Sequence, residues 1–251
     1  MNELPVVLIT GSAKRIGASI AKKFHRQGFR VVLHYHHSAD DADALAQQLN
    51  AQEPGSAALV KAALNDMEAV EQLADLSLKC FGRVDVLINN ASSFYPTALD
   101  EVSQQHWDEL IGSNLRGAFF LSSTLANELT QRRGNIVNII DVHADRPLAR
   151  HPVYNIAKAG LKAMTRSLAL ELAPHVRVNG VSPVAILWPT ALADDTDPVI
   201  LQKREAVLKQ VPLGRTGSVE EIAATVYFLV REASYLTGAV IKVDGGRSLS
   251  W

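Results

Sequence analysis

Tyr154 and Lys158 lie four residues apart in the segment Tyr-Asn-Ile-Ala-Lys. On a helix that spacing places both side chains on one face. A lysine cation beside a phenol stabilises phenolate, so the pair is expected to lower the tyrosine pKa toward neutrality and make it a usable proton donor. Such pairs also occur by chance on helix surfaces, so the rest of the chain has to decide. Two further features stand in order before it: Asn89-Asn90-Ala91 at the end of an apolar run, and Asn114 within a helical segment.

A second chemical feature opens the chain. An apolar run leads into Thr10-Gly11-Ser12-Ala13-Lys14-Arg15-Ile16-Gly17 and then into a helical pattern. Strand, glycine-rich turn and helix N-terminus make an anion site, because unpaired N–H groups and the positive dipole end face the ligand. Gly11 permits the turn and Gly17 lets the helix approach the sheet, the arrangement of a dinucleotide-binding unit. Enzymes that prefer the unphosphorylated cofactor place an acid roughly 20 residues later, at the end of the second strand. Here that strand ends Leu33-His34-Tyr35-His36-His37-Ser38, and the first acid, Asp40, comes after it. With Arg15 in the loop, this favours NADP over NAD. His34 and His36 share a strand face, but no third ligand of known spacing accompanies them, so no metal is expected. His36 is expected at the cofactor phosphate, with surface or packing roles as the alternative. Asp40, Asp41 and Asp43 suit a helix N-terminus, and Asp194, Asp195 and Asp197 a solvated loop.

The elements that must position these residues alternate along the chain. Apolar, β-branched runs at Val6–Thr10, Val31–Tyr35, Ala57–Lys61, Val84–Asn89, Ile136–Ile140, Val176–Val181 and Val240–Val243 read as strands buried on both faces. Between them lie helical segments at Ile16–Gln27, Ala39–Asn50, Met67–Phe81, Ser103–Leu129, Val153–Leu172 and Ser218–Val230. Alternation of this kind is a doubly wound α/β fold with a seven-stranded parallel sheet. No linker or repeat divides the chain, so residues 1–251 are expected to form a single domain. The rhythm breaks only at about residues 184–211, which follow the sixth strand and read as a substrate loop.

Composition bounds the class. The 251 residues carry a net charge of −1 with 47% hydrophobic and 20% charged residues, which argues against nucleic-acid or membrane-surface work. Cys80 is the single cysteine, so no internal disulfide forms and a reducing cytoplasm fits. The first residues lack a signal-peptide pattern, and no run approaches the roughly 18 apolar residues of a membrane helix.

Taken together, Thr10–Gly17, Asn89–Ala91, Asn114, Tyr154–Lys158, Arg177-Val178-Asn179 and Val243-Asp244-Gly245-Gly246 resemble the short-chain dehydrogenase/reductase family over nearly the whole chain. The resemblance implies a Rossmann sheet, hydride transfer with a nicotinamide cofactor, and a homotetramer. It implies that Lys158 holds the nicotinamide ribose and Asn114 supports a proton-relay water. It also implies cofactor contacts from Gly11, Arg15, Ile16, Gly17, His36, His37, Ser38, Leu64, Asn90, Ala91, Ser92, Tyr154, Pro183 and Ile186.

Two departures narrow the resemblance. Arg15 replaces the middle glycine of the motif, and Asp141 stands thirteen residues before the tyrosine, where a serine is usual. Both features resemble pteridine reductases, as do Leu33-His34-Tyr35-His36, Asn89-Asn90-Ala91-Ser92-Ser93-Phe94-Tyr95-Pro96 and Asp244-Gly245-Gly246-Arg247-Ser248-Leu249. A pterin is a flat heterocycle whose reducible C=N bonds need a proton on nitrogen as carbon gains hydride, and a carboxyl group can carry that proton. Phe94 offers a stacking face. The expected site is therefore Asp141, Tyr154, Lys158 and Asn114 for catalysis, with Ser92, Phe94, Leu187 and Trp188 adding to Asp141 and Tyr154 around a pterin or folate substrate, and NADPH as cofactor. His37 stands where an arginine is common, Ala63 in the place of an adenine-contacting aspartate, and Val184 where a glycine commonly follows Pro183. Reduction of another carbonyl, such as a 3-oxoacyl thioester, is the nearest alternative. A non-catalytic NADP-sensing protein is the alternative from another class.

Overall fold

Val6, Val7, Leu8 and Ile9 have no polar side to turn toward water, and all four are fully buried. The structure is a computed structural model describing residues 4–184, 186 and 196–250. Its strands are β1 (Val6–Ile9), β2 (Arg30–Tyr35), β3 (Ala57–Lys61), β4 (Val86–Asn89), β5 (Asn135–Ile139), β6 (Arg177–Pro183) and β7 (Val240–Val243). The α-helices are α1 (Arg15–Arg26), α2 (Ala39–Gln52), α3 (Met67–Phe81), α4 (Gln104–Ile111), α5 (Gly117–Thr124), α6 (Ala126–Arg132), α7 (Pro152–Glu171), α8 (Pro198–Leu208) and α9 (Val219–Arg231).

The strands form one sheet in the order β3-β2-β1-β4-β5-β6-β7, every neighbouring pair parallel. Leu8 of β1 lies opposite Val32 of β2 and Leu87 of β4. The chain order reverses between β1 and β4, which opens a crevice at their carboxyl ends. Alternate residues of each strand serve opposite faces. Val7 and Ile9 share a core layer with Ile20 and Phe24 of α1 and Val226 and Leu229 of α9, whereas Val6 and Leu8 share one with Val70 and Leu73 of α3 and Leu121 of α5. Helices on both faces explain why the strands read as unbroken apolar runs.

Expected and observed elements agree to within about two residues except for α8, which lies in the segment expected as a substrate loop, and the segment expected as one helix, Ser103–Leu129. The latter is broken by a π-helical turn at Gly112–Arg116 and again between α5 and α6. The turn is built around Asn114, whose side-chain amide donates to the Leu110 carbonyl at 2.9 Å. Gly112 and Gly117 on either side lie so close to Asn65 and Leu64 that a Cβ at Gly112 would come within 2.7 Å of the Asn65 Cβ. The bulge costs regular helix and places one buried polar side chain, a usual purpose of such turns. No helix of the described residues is long and apolar enough to cross a membrane.

Candidate active site

The loop after β1 is shaped by contacts that only glycine allows. Gly11 holds φ at +62°, and a Cβ there would come within 2.8 Å of the Ala91 Cα. A Cβ on Gly17 would collide with the Gly11 carbonyl oxygen and reach 2.7 Å from the Asn90 amide nitrogen. Asn90 ties the two sides together, its side-chain amide donating to the carbonyls of Thr10 at 2.9 Å and Gly11 at 3.0 Å. Thr10 Oγ1 accepts the main-chain N–H groups of Asn90 and Ala91. The N-terminus of α1 thus faces a cavity of about 1010 Å³. Its first amides have no intrahelical partner. Of the residues expected at the cofactor, Gly11, Arg15, Ile16, Gly17, His36, His37, Ser38, Leu64, Asn90, Ala91 and Ser92 line this cavity, whereas Tyr154, Lys158, Pro183 and Ile186 do not. A close backbone turn, a helix N-terminus and a cavity of this volume fit a dinucleotide.

Also lining the cavity, His36 and His37 hold their ring centroids 3.6 Å apart with the planes tilted by 44°. Burial, His37 and Lys61 hold His36 below its ordinary pKa, so at neutral pH it offers a neutral ring and not a cation. The cations lining the cavity are Arg15 and Lys14, and Lys14 pairs with Asp41 of α2 at 2.7 Å. His34, one strand face with His36, is turned into the fold and 2% exposed. No group of three metal-ligating side chains occurs among the described residues.

Toward the middle of the sheet a polar ladder crosses the core. The Asn89 amide donates to Asn138 Oδ1 at 2.8 Å and to Ser122 Oγ at 3.1 Å, and the Asn138 amide donates to Thr165 Oγ1 at 2.9 Å. These bonds fix β4, β5, α5 and α7 relative to one another. On α7, begun by Pro152 at its first turn, Tyr154 is 4% and Lys158 2% exposed. The Tyr154 hydroxyl donates to Asp141 Oδ2 at 2.8 Å, and Asp141 Oδ1 accepts the His143 N–H at 2.9 Å. Lys158 Nζ donates to the Ile139 carbonyl at 3.1 Å and lies 5.7 Å from the Tyr154 ring centroid.

This arrangement reverses the expected ionisation of the pair. Burial first, and the Asp141 charge second, push the Tyr154 phenol far above its ordinary pKa, with a Ser92 hydrogen bond opposing them. Burial pulls Lys158 down to about 8 while Asp141 opposes the fall. The carboxylate, not the ammonium, is the hydrogen-bonded neighbour of the phenol, so Tyr154 keeps its proton at neutral pH.

Asn114 is brought to the same end by its π-turn. Its Oδ1 accepts the Ser92 hydroxyl at 2.6 Å, and its amide donates to the Ser93 carbonyl at 2.9 Å. Phe94 is half exposed; its face stacks on His151 at 4.8 Å and its ring meets Tyr154 edge-on at 4.9 Å. Pro183 ends β6, and Ile186 is buried nearby in sequence. Leu187 and Trp188 lie outside the described residues, as do Asp194 and Asp195. Asp197 caps α8 by accepting the Val199 N–H.

Asn65, Asp108, Glu109 and Ser113 also line the cavity, though sequence reasoning did not select them. Gly112 and Gly117, which press α4 and α5 onto the Leu64–Asn65 stretch, were the available signal.

A doubly wound sheet, a glycine-shaped cavity at the start of α1 and a buried tyrosine hydrogen-bonded to the lining residue Ser92 fit an oxidoreductase of the Rossmann class. A family model described as enoyl-(acyl carrier protein) reductase matches residues 11–248. The chain is 38% identical to pteridine reductase 1 of Leishmania tarentolae, over 98% of this chain and 97% of that one. It is 37% identical to L-xylulose reductase of Bos taurus over 95% and 94%, and 35% identical to glucose 1-dehydrogenase 2 of Bacillus subtilis over 96% and 94%. The chain belongs to the short-chain dehydrogenase/reductase family, whose members work with a nicotinamide cofactor.

Proposed function

We propose that this chain is an NADPH-dependent pteridine reductase acting on dihydropterins and on folate or dihydrofolate. The observation that carries the reading is the 2.8 Å hydrogen bond from the Tyr154 hydroxyl to Asp141, beside the half-exposed ring of Phe94. The similarity to pteridine reductase 1 supports it.

The loop Gly11–Gly17 would hold the cofactor phosphates and Arg15 a 2′-phosphate, with Lys158 at the nicotinamide ribose. When bound, the reduced nicotinamide supplies the hydride for a ring carbon. Tyr154 holds the proton for the adjacent ring nitrogen. It stays protonated at neutral pH and is the acid side of the step. Asp141 orients the hydroxyl as its hydrogen-bond acceptor. Lys158, at about 8, remains mostly a cation at neutral pH and offsets charge that develops on the phenol oxygen. Asn114 keeps Ser92 directed toward the tyrosine. Phe94 offers the heterocycle a flat wall, one face of its ring being already covered by His151. The stretch at about 184–211 is read as the substrate loop.

A homotetramer is part of the proposal. It is supported by the half-exposed Trp107 of α4, Phe119 and Phe120 of α5 and Ile156 of α7, apolar surface suited to self-association. Residues 1–251 acting as a single domain in a reducing cytoplasm complete the reading. A carbonyl substrate is the second reading, favoured by the sugar-reductase relative and the acyl-carrier-protein description of the family model.

The test is NADPH oxidation measured side by side with dihydrobiopterin, dihydromonapterin, dihydrofolate, folate, a sugar and an acetoacetyl thioester. Preference for a pterin or folate is expected. Turnover of the thioester or sugar alone would replace this reading with the second.

A further inference from the structure

His34 belongs to neither half of that mechanism, yet both of its ring nitrogens are bonded beneath the phosphate loop. It projects from β2 into the base of the cavity and is 2% exposed. Its Nδ1 accepts the Gly11 N–H at 3.0 Å. Its Nε2 lies 3.2 Å from the Ala62 carbonyl, which can only accept, so Nε2 carries the ring proton. One tautomer therefore satisfies both nitrogens. The main-chain carbonyl of the same residue accepts the Ser12 N–H at 3.0 Å and the Ser12 hydroxyl at 3.2 Å. Three donors of Gly11-Ser12 thus end on one residue of the neighbouring strand.

The loop they restrain needs restraint. Gly11 at φ +62° and Arg15 at φ +53° both hold left-handed backbone, which for arginine is disfavoured. A loop without a fixed acceptor for Gly11 would sample other turns, and its apparent affinity would fall in proportion to the fraction in the binding shape.

We propose that His34 is a positioning residue for cofactor binding: its neutral imidazole accepts the Gly11 amide and presets the phosphate loop in its anion-binding form. Burial holds the ring neutral, its pKa lowered to about 4, so the acceptor is present throughout the ordinary working range. The inference rests on the cofactor half of the proposed function and is independent of which substrate is reduced.

Three variants separate this role from space filling. Asparagine can place its Oδ1 near the position of Nδ1 and so keep an acceptor for Gly11. Glutamine reaches toward the Nε2 position, can donate to Ala62, and leaves the Gly11 amide without its partner. Leucine fills the volume with neither bond. NADPH dissociation constants are measured by fluorescence, together with the melting-temperature rise that NADP gives and kcat at saturating NADPH. His34→Gln and His34→Leu are expected to weaken NADPH about tenfold and His34→Asn no more than about threefold. With any substrate that is turned over, kcat is expected to stay within about twofold, the loss appearing in KM for NADPH.

Equal affinities for the Asn and Gln variants, or an unchanged dissociation constant for His34→Leu, would overturn the proposal. If the leucine variant does not fold, the Asn and Gln pair decides the matter. Should the native chain bind no NADPH, the functional reading and this inference fall together. If it binds NADPH but the order of variants fails, only this inference falls.

Discussion

Acidifying the protein should reveal how much stability is stored in the neutral state of His34. The unfolded chain titrates this side chain near 6.5, whereas burial lowers it to about 4 in the fold. A lowered histidine pKa means that the fold favours the neutral ring. Its contribution is therefore complete above pH 6.5 and is lost as pH falls through the window from 6.5 to 4. A tenfold difference in proton affinity between folded and unfolded chain is worth about 1.4 kcal/mol, so the loss from this residue alone is about 1.4 kcal/mol at pH 5.5 and about 2.6 kcal/mol at pH 4.5. His34→Asn does not titrate and lacks this loss, while every other group, including His25, is common to both proteins. The assay is urea unfolding followed by fluorescence at pH 7.5, 6.5, 5.5 and 4.5 for both. The stability difference is expected to move toward the variant by about 2–3 kcal/mol between the first and last pH. Parallel curves would show that the ring is not held neutral as described and would refute the reasoning.

Tyr154→Phe removes the hydroxyl that donates to Asp141 and should abolish most turnover, while NADPH affinity by fluorescence stays within about threefold. Asp141 raises both Tyr154 and Lys158, so Asp141→Asn should move the alkaline limb of kcat/KM to lower pH; an unmoved limb would count against the contact. Lys158 is a base whose folded pKa is lowered from 10.5 to about 8, a cost present below pH 8 and gone above 10.5. Lys158→Met should therefore raise stability by about 1–2 kcal/mol at pH 7, after loss of the bond to Ile139 is allowed for, and lower it by about 1 kcal/mol at pH 10.5, where only the lost bond remains, while turnover is lost. Gly17→Ala has no room beside the Gly11 carbonyl and the Asn90 amide, and should weaken NADPH binding at least about tenfold when measured directly.

Much of the fold is legible in the sequence because strand burial on both faces leaves a plain mark: Val6–Ile9 and Val86–Ile88 are apolar throughout. The Gly11–Gly17 loop is legible for a similar reason, since a backbone that approaches its neighbours closely must dispense with side chains. The region from 103 to 129 reads as one helix because its apolar spacing continues across the π-turn. The break is caused by a hydrogen bond from Asn114 to its own helix, which periodicity does not register. The ionisation of Tyr154 escapes sequence reasoning because spacing along α7 shows Lys158 but not Asp141, which arrives from the end of β5. Residue type names the right partners, and the order of their distances is a tertiary fact. His34 shows the same limit, since a strand histidine facing inward reads as packing until its acceptor role toward Gly11 is seen.

Arg15 carries a consequence for laboratory evolution. It stands at φ +53°, where glycine would sit without strain, so the arginine is kept at a local cost of about 1–2 kcal/mol. Under the proposed NADPH preference, a library selected only for heat resistance would drift toward glycine at this position and lose discrimination between the two nicotinamide cofactors. Selection for robustness and selection for cofactor identity pull this one codon in opposite directions, so cofactor preference has to be screened explicitly.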